Sequence, residues 1–315
     1  AKTPFACWQN RGLLRMITVS VPATSANLGA GFDSCGLALA LYNRVQMEEW
    51  DSVCITSLDG TRVPTGPHNL VYRTAKGLYD ECGVPLRGLR LAQENGVPMA
   101  RGLGSSSACI AAGLVGANEL LGRPFTRMQL LERAAALEGH PDNVAPAMLG
   151  GFVASALEGG HLYAVQRPVS QTLCFAAFVP GYQLLTEKAR AALPGAVAHR
   201  DAVYNVSRAA LLAAAFCEER YDLLRVATGD RLHQPYRAAL MPGMHEVFAL
   251  CRQLGALGWW VSGAGPTLLC AVHAQDEAFF TAARAKLAAA EQSSPLAAYT
   301  LHRLAPDNAG AQAAA

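Results

Sequence analysis

The chain has 315 residues, 51% apolar and 16% charged, which suits a well-packed soluble enzyme of one large or two modest domains and excludes wholesale disorder. Lys and Arg number 26 against 24 Asp and Glu, a formal net charge of +2 with no basic stripe to take nucleic acid. No apolar run reaches the roughly 18 residues that a bilayer crossing takes, so no membrane partner is expected. The nine cysteines are scattered without a Cys-x-x-Cys pair. That argues against a disulfide framework or a zinc site and for small buried side chains in a reducing cytoplasm.

Residues 1–15 lack an apolar leader segment and read as an N-terminal extension, with Met16 a candidate start. Ile17, Val19 and Val21 alternate with polar residues, which predicts a half-buried strand ending at Pro22. The loop that follows holds Asn27 and Asp33 in an apolar setting. Both are ordinary turn residues, and both suit a small polar ligand. Strands over 44–47 and 53–57, a helix over 70–82 and a strand over 86–94 come next.

The stretch from Pro98 to Ala108 then carries Gly102, Leu103 and Gly104 into three serines, Ser105, Ser106 and Ser107, and an apolar run to Leu121. Ile110, Leu114, Ala117 and Leu121 fall near one face, which predicts a helix beginning at Ser105 or Ser106 with a hydroxyl as its cap. The first N–H groups of a helix have no partner within it and carry partial positive charge, and glycines let an anion approach them. The physical reading is a phosphate cradle. It is not a Walker A loop, because no Gly-Lys-Ser/Thr follows, and Ser107 stands where a dinucleotide fingerprint needs a third glycine. No Gly-x-Ser-x-Gly elbow suggests hydrolysis.

A second helix is expected over 128–138, stopping at Gly139, His140, Pro141, Asp142 and Asn143, a polar knot that serves equally as capping residues or as ligands. Strands follow over 152–157, 162–165 and 174–179, with the likeliest linker at 168–171. Helices over 186–192, 202–217, 221–227 and 245–254 precede a strand over 259–262 that runs into Gly263, Ala264 and Gly265. A strand over 268–273, a helix over 277–290 and a strand over 298–304 complete the pattern. Residues 309–315 read as a frayed small-residue tail. Helices and strands interspersed in both halves give an α+β class in two layers.

Three stretches in this order, Val21 to Asp33, Pro98 to Ala108 and Ser262 to Thr267, resemble the motifs of the GHMP small-molecule kinases. The wording of Ala23 to Gly29, Glu138 to Pro146 and Leu149 to Phe152 resembles the branch that phosphorylates homoserine. The resemblance spans about 16–304. It implies a two-domain α+β fold, 16–168 and 169–305 with a 306–315 tail, and an active site in the interdomain cleft. It implies ATP on Gly102, Leu103, Gly104, Ser105, Ser106 and Ser107, flanked by Pro98 and Arg101, with Asn69 and Val71 beside the adenine. Mg²⁺ would sit on Ser106 and on Glu132, counted eleven residues back from Asn143, with Glu138 as the fallback. For L-homoserine the family's residues map onto Asn27, Asp33, His140, Asn143, Arg190, Arg237 and Gly263. Asp33 suits the ammonium, and the two arginine forks suit the carboxylate. Catalysis would involve Asp33, Asn143 and Arg190. Several relatives place a general base where Asn143 stands, and this branch shares its absence. A mevalonate or sugar kinase of the family would want that base, and a non-catalytic relative should have lost the phosphate loop. A homodimer is compatible with the family.

Overall fold

The computed structural model describes residues 16–314; the extension over 1–15 lies outside the described residues. The first half supplies β1 (Ile17–Ala26), β2 (Cys35–Trp50), β3 (Cys54–Ser57), α1 (Leu70–Glu81) and β4 (Gly88–Asn95). Then come α2 (Ser105–Leu120), α3 (Arg127–Glu138), α4 (Pro141–Leu149) and the hairpin β5 (Phe152–Glu158) and β6 (His161–Arg167). The second half runs β7 (Leu173–Pro180), α5 (Thr186–Ala191), α6 (His199–Cys217), α7 (Leu224–Ala227), α8 (Gln234–Arg237) and α9 (Met244–Gln253). It closes with β8 (Gly258–Val261), β9 (Leu268–His273), α10 (Glu277–Ala288), β10 (Tyr299–Leu304) and β11 (Gln312–Ala314).

One sheet has the order β11-β1-β2-β4-β3, with β5 paired to β2 and β6 to β5, and the other has the order β10-β7-β9-β8. β3 and β4 are parallel and joined through α1; the remaining pairs are antiparallel. A core of Val19, Met47, Leu91, Ile110 and Leu114 fills the space under α1 to α4. A second core, with Phe152, Phe175, Phe216 and Trp260, lies between the two sheets and welds the halves together. A third, around Phe178, Val247 and Phe280, backs the four-stranded sheet. No helix among the described residues is long and apolar enough to cross a membrane.

Three expectations about strand extent fail. β1 does not stop at Pro22. The register slips between Pro22 and Ala23, and a bulge is where a strand tolerates a residue without an N–H. β2 is one long strand that starts at Cys35 rather than 44, because its first residues pair with β5 as well as β1. The tail is not frayed: Gln312 to Ala314 pair with β1 through Thr18 to Ser20.

Candidate active site

Three glycine-bearing stretches come together because their backbones are bonded to one another. Thr24 donates its N–H to the Leu103 carbonyl at 3.1 Å, Gly263 to Ala26 at 3.1 Å, and Thr267 to Arg101 at 3.2 Å. The Ser262 hydroxyl donates to the Gly102 carbonyl at 2.6 Å. Gly102 lies against this turn so closely that a Cβ would stand 2.3 Å from the Ser262 oxygen, on a backbone with φ of +74°. Only glycine fits there.

The result is a cleft of about 120 Å³ between the two halves, with α2 pointing into it. Gly104 caps α2 in the left-handed region, and no side chain caps the helix. The serine hydroxyl predicted as a cap does not serve as one; all three serines lie inside the first turn. Among the described residues the N–H groups of Ser105, Ser106 and Ser107 have no hydrogen-bond partner, while Ala108 closes the first helical bond to Gly104. Free amides on a 16-residue helix make this wall attractive to an anion. Beside it, the hydroxyls of Ser106 and Ser107 donate to the two oxygens of Glu138 at 3.2 and 2.9 Å. Glu138 ends α3, so the carboxylate arrives where one helix stops and the other starts.

The opposite wall is charged. Arg190, on α5, makes a forked pair with Asp33 at 2.7 and 3.0 Å. Asp33 has a φ of +53°, and Asn27 and Leu28 are also left-handed, which marks a loop held in shape by its surroundings. The holder is Asn27, whose oxygen accepts from the Asp33 N–H at 3.0 Å and whose amide donates to the Gly263 carbonyl at 2.8 Å. Arg237 is 1% exposed and donates to the carbonyls of Ala189 and Gly263 at 3.2 and 3.1 Å. Burial, with Arg190 nearby, pulls its pKa down to about 10, so it is still a cation at neutral pH. Its guanidinium also donates to His233 Nδ1 at 3.2 Å. Burial lowers the His233 pKa, which favours the neutral ring whose Nε2 donates to Gly29 at 2.8 Å. His140 pairs through Nδ1 with Asp142 at 2.7 Å, and that bond raises its pKa. Asn143, one turn into α4, accepts from the Thr24 hydroxyl at 2.8 Å.

Residues 69–151 match the GHMP kinases N terminal domain and residues 212–289 the GHMP kinases C terminal domain. The chain is 45% identical over 271 residues to the homoserine kinase of Clostridium beijerinckii, covering 84% of this chain and 89% of that one. It is 42% identical to the homoserine kinase of Caldicellulosiruptor saccharolyticus, covering 94% and 96%. It belongs to the homoserine kinases of the GHMP family. The crystal structure of homoserine kinase from Cytophaga hutchinsonii superposes with a TM-score of 0.85 at 27% identity, over 97% of this chain and 99% of that one.

Within this GHMP kinase, Asn27, Asp33, His140, Asn143, Arg190, Arg237 and Gly263 line one cleft with Arg101, Gly102, Gly104, Ser105, Ser106, Ser107 and Glu138. Glu132 is a correction: its carboxylate faces His161 at 3.9 Å, outside the cleft, and the fallback Glu138 takes the place beside Ser106. Asn69 and Val71 are not brought to the cleft lining. Asn69 caps α1, its oxygen accepting from Val71 and Tyr72 and its amide donating to Pro64 and Gln93, and the Val71 side chain is in the core. Pro98 is half-buried off the cleft, and Leu103 is core. Arg101 reaches the rim, but its guanidinium is held by the carbonyls of Met99, Pro180 and Gly181. Sequence reasoning missed Thr24 and His233 and saw Asp142 only as one of the polar knot; each of the three orients a residue of the site. The His233-to-Arg237 spacing on a short helix was the one available signal, because residues four apart share a face.

Proposed function

We propose that this cleft transfers the γ-phosphoryl group of ATP to the side-chain hydroxyl of L-homoserine. The observation that carries the reading is the forked Asp33–Arg190 pair, with Arg237 beside it, facing the open amides of α2. A zwitterionic amino acid offers an ammonium to Asp33 and a carboxylate to the arginines, so it exchanges one ion pair for two. Mevalonate and sugars have no ammonium and would leave Asp33 without its cation.

The ATP phosphates fit the N–H groups of Ser105 to Ser107, whose lack of internal partners is what a phosphate supplies. The Ser106 hydroxyl and Glu138 carboxylate are hard oxygen donors suited to Mg²⁺, which keeps most of its shell as water and phosphate oxygens. When bound, the metal neutralises charge on the transferring group. Asn143 cannot accept a proton, and its oxygen is already engaged by Thr24. A loose transition state needs little early deprotonation, so the hydroxyl proton passes late, to the phosphate itself or to Asp33. Positioning and charge do the rest.

The test is ADP release with Mg·ATP against homoserine, serine, mevalonate and galactose. Turnover on homoserine well above the other three is expected. Strong turnover on mevalonate with none on homoserine overturns the reading.

A further inference from the structure

The acceptor wall converges on Phe32, although nothing in phosphoryl transfer itself calls for an aromatic ring there. The guanidinium carbon of Arg237 lies over this ring, 5.4 Å from its centre, and that of Arg190 at 5.9 Å. The His233 imidazole stacks on the same ring, 5.0 Å away and inclined by 22°. Asp33 is the next residue in the chain. Phe32 is half-buried and does not line the cleft, so it acts through the groups around it.

Backbone bonds place the ring without help from the arginines. The Gly31 carbonyl accepts from the N–H groups of Ser34 and Cys35 at 3.1 and 2.8 Å, and the Asp33 N–H donates to Asn27 at 3.0 Å. The turn is so tight that a Cβ on Gly31 would stand 2.5 Å from that of Cys35. The two arginines arrive separately, Arg190 on α5 and Arg237 on α8. Two cations aimed at one carboxylate repel each other while the site is empty. After burial, Arg190 is the largest cause of the lowered Arg237 pKa. An aromatic face carries negative potential and attracts a guanidinium within about 6 Å of its centre, and a planar fork stacked on a ring is also oriented by it. Among the described residues Asp33 is the only hydrogen-bond partner of the Arg190 guanidinium. When an ammonium competes for Asp33, the ring is what continues to hold Arg190.

We propose that Phe32 is a positioning residue for carboxylate recognition. Its ring holds Arg190 and Arg237 in the spread that an α-carboxylate bridges, and so makes the cleft prefer an amino acid to the corresponding amine. The role rests on the arginines taking the substrate carboxylate, as proposed above. His233 supports it twice, stacking on the ring and accepting from Arg237 through Nδ1 at 3.2 Å.

The test compares kcat/KM for homoserine with kcat/KM for propanolamine, which is homoserine without its carboxylate. The ratio of the two isolates carboxylate recognition from general damage to the enzyme. Replacing Phe32 by mono-, di- and trifluorophenylalanine weakens the ring face step by step at nearly constant size. The ratio is expected to fall in the same steps, by about tenfold at the trifluoro ring and at Phe32→Leu, with KM for ATP unaltered. Arg190→Met should lower the ratio at least as far. A ratio that survives Arg190→Met overturns the reading of the arginines, and this proposal with it. A ratio that falls with Arg190→Met but stays level across the fluorinated rings overturns the proposal alone.

Discussion

The phosphate wall of the cleft is made of consecutive residues, Gly102 to Ser107, and offers mostly main-chain groups, whereas the acceptor wall gathers Asp33, Arg190 and Arg237 from distant parts of the chain. The first wall is pre-formed by a helix terminus and survives most side-chain changes. The second exists only through side chains, and its buried cation, Arg237, ties the Ala189 and Gly263 carbonyls and the His233 ring together. Damage at the buried arginine of the acceptor wall should therefore spread to the fold, whereas damage to the phosphate wall should stay in catalysis.

Arg237→Met gives the sharpest contrast. It orphans the Ala189 carbonyl and His233 Nδ1 in a buried site and leaves the Gly263 carbonyl with Asn27 alone, so a loss of about 3 kcal/mol in denaturant unfolding is expected alongside loss of turnover. Unchanged stability would mean that the acceptor wall is as modular as the other. Asp33→Asn comes next: its pair with Arg190 is partly exposed and worth at most about 1 kcal/mol, so the melting temperature should barely move. Its kcat/KM for homoserine should fall on the order of 10³-fold with KM for ATP unaltered, because a charged contact to the acceptor is lost. Full turnover at saturating homoserine would rule out Asp33 as the proton acceptor.

Ser106→Ala probes the phosphate wall. The side chain is exposed, so stability should hold while turnover drops about tenfold or more, the loss growing as Mg²⁺ is lowered. The smallest effect concerns His140, whose pKa is raised by Asp142. A group with a raised folded pKa contributes stability that is full below its unfolded value near 6.5 and is lost as pH rises through the folded value. Asp142→Asn should bring the ring back toward its ordinary pKa, and the pH at which that stability fades should move down with it. An NMR titration of His140 that did not shift between the two proteins would exclude this linkage.

The same contrast explains what could be read in the sequence. A helix terminus with glycines before it is a local signal, so the phosphate wall was visible in eleven consecutive residues. Of the acceptor wall, Asp33 was flagged by its polar place in an apolar loop, but the arginines were reached only through resemblance, since nothing local distinguishes Arg190 or Arg237 from a solvated helix residue. Counting along the chain misplaced the metal-side carboxylate. Glu132 and Glu138 are six residues, about 9 Å, apart on α3, and only the later one reaches the Ser106 hydroxyl. Asn69 and Val71 were named through the resemblance alone, and in the fold Asn69 caps α1. The extent of β1 and β2 and the pairing of the tail depend on partners distant in the chain, and those leave no local trace.

The pairing of Gln312–Ala314 with β1 joins the first strand of the described chain to the last. The Asp307 side chain fastens the approach, accepting from the Tyr42 hydroxyl at 2.8 Å and from the Gly310 N–H at 2.7 Å. During synthesis β1 therefore waits with one margin bare until Gln312–Ala314 have emerged, about 285 residues after it. The earliest-made sheet is the last to be finished.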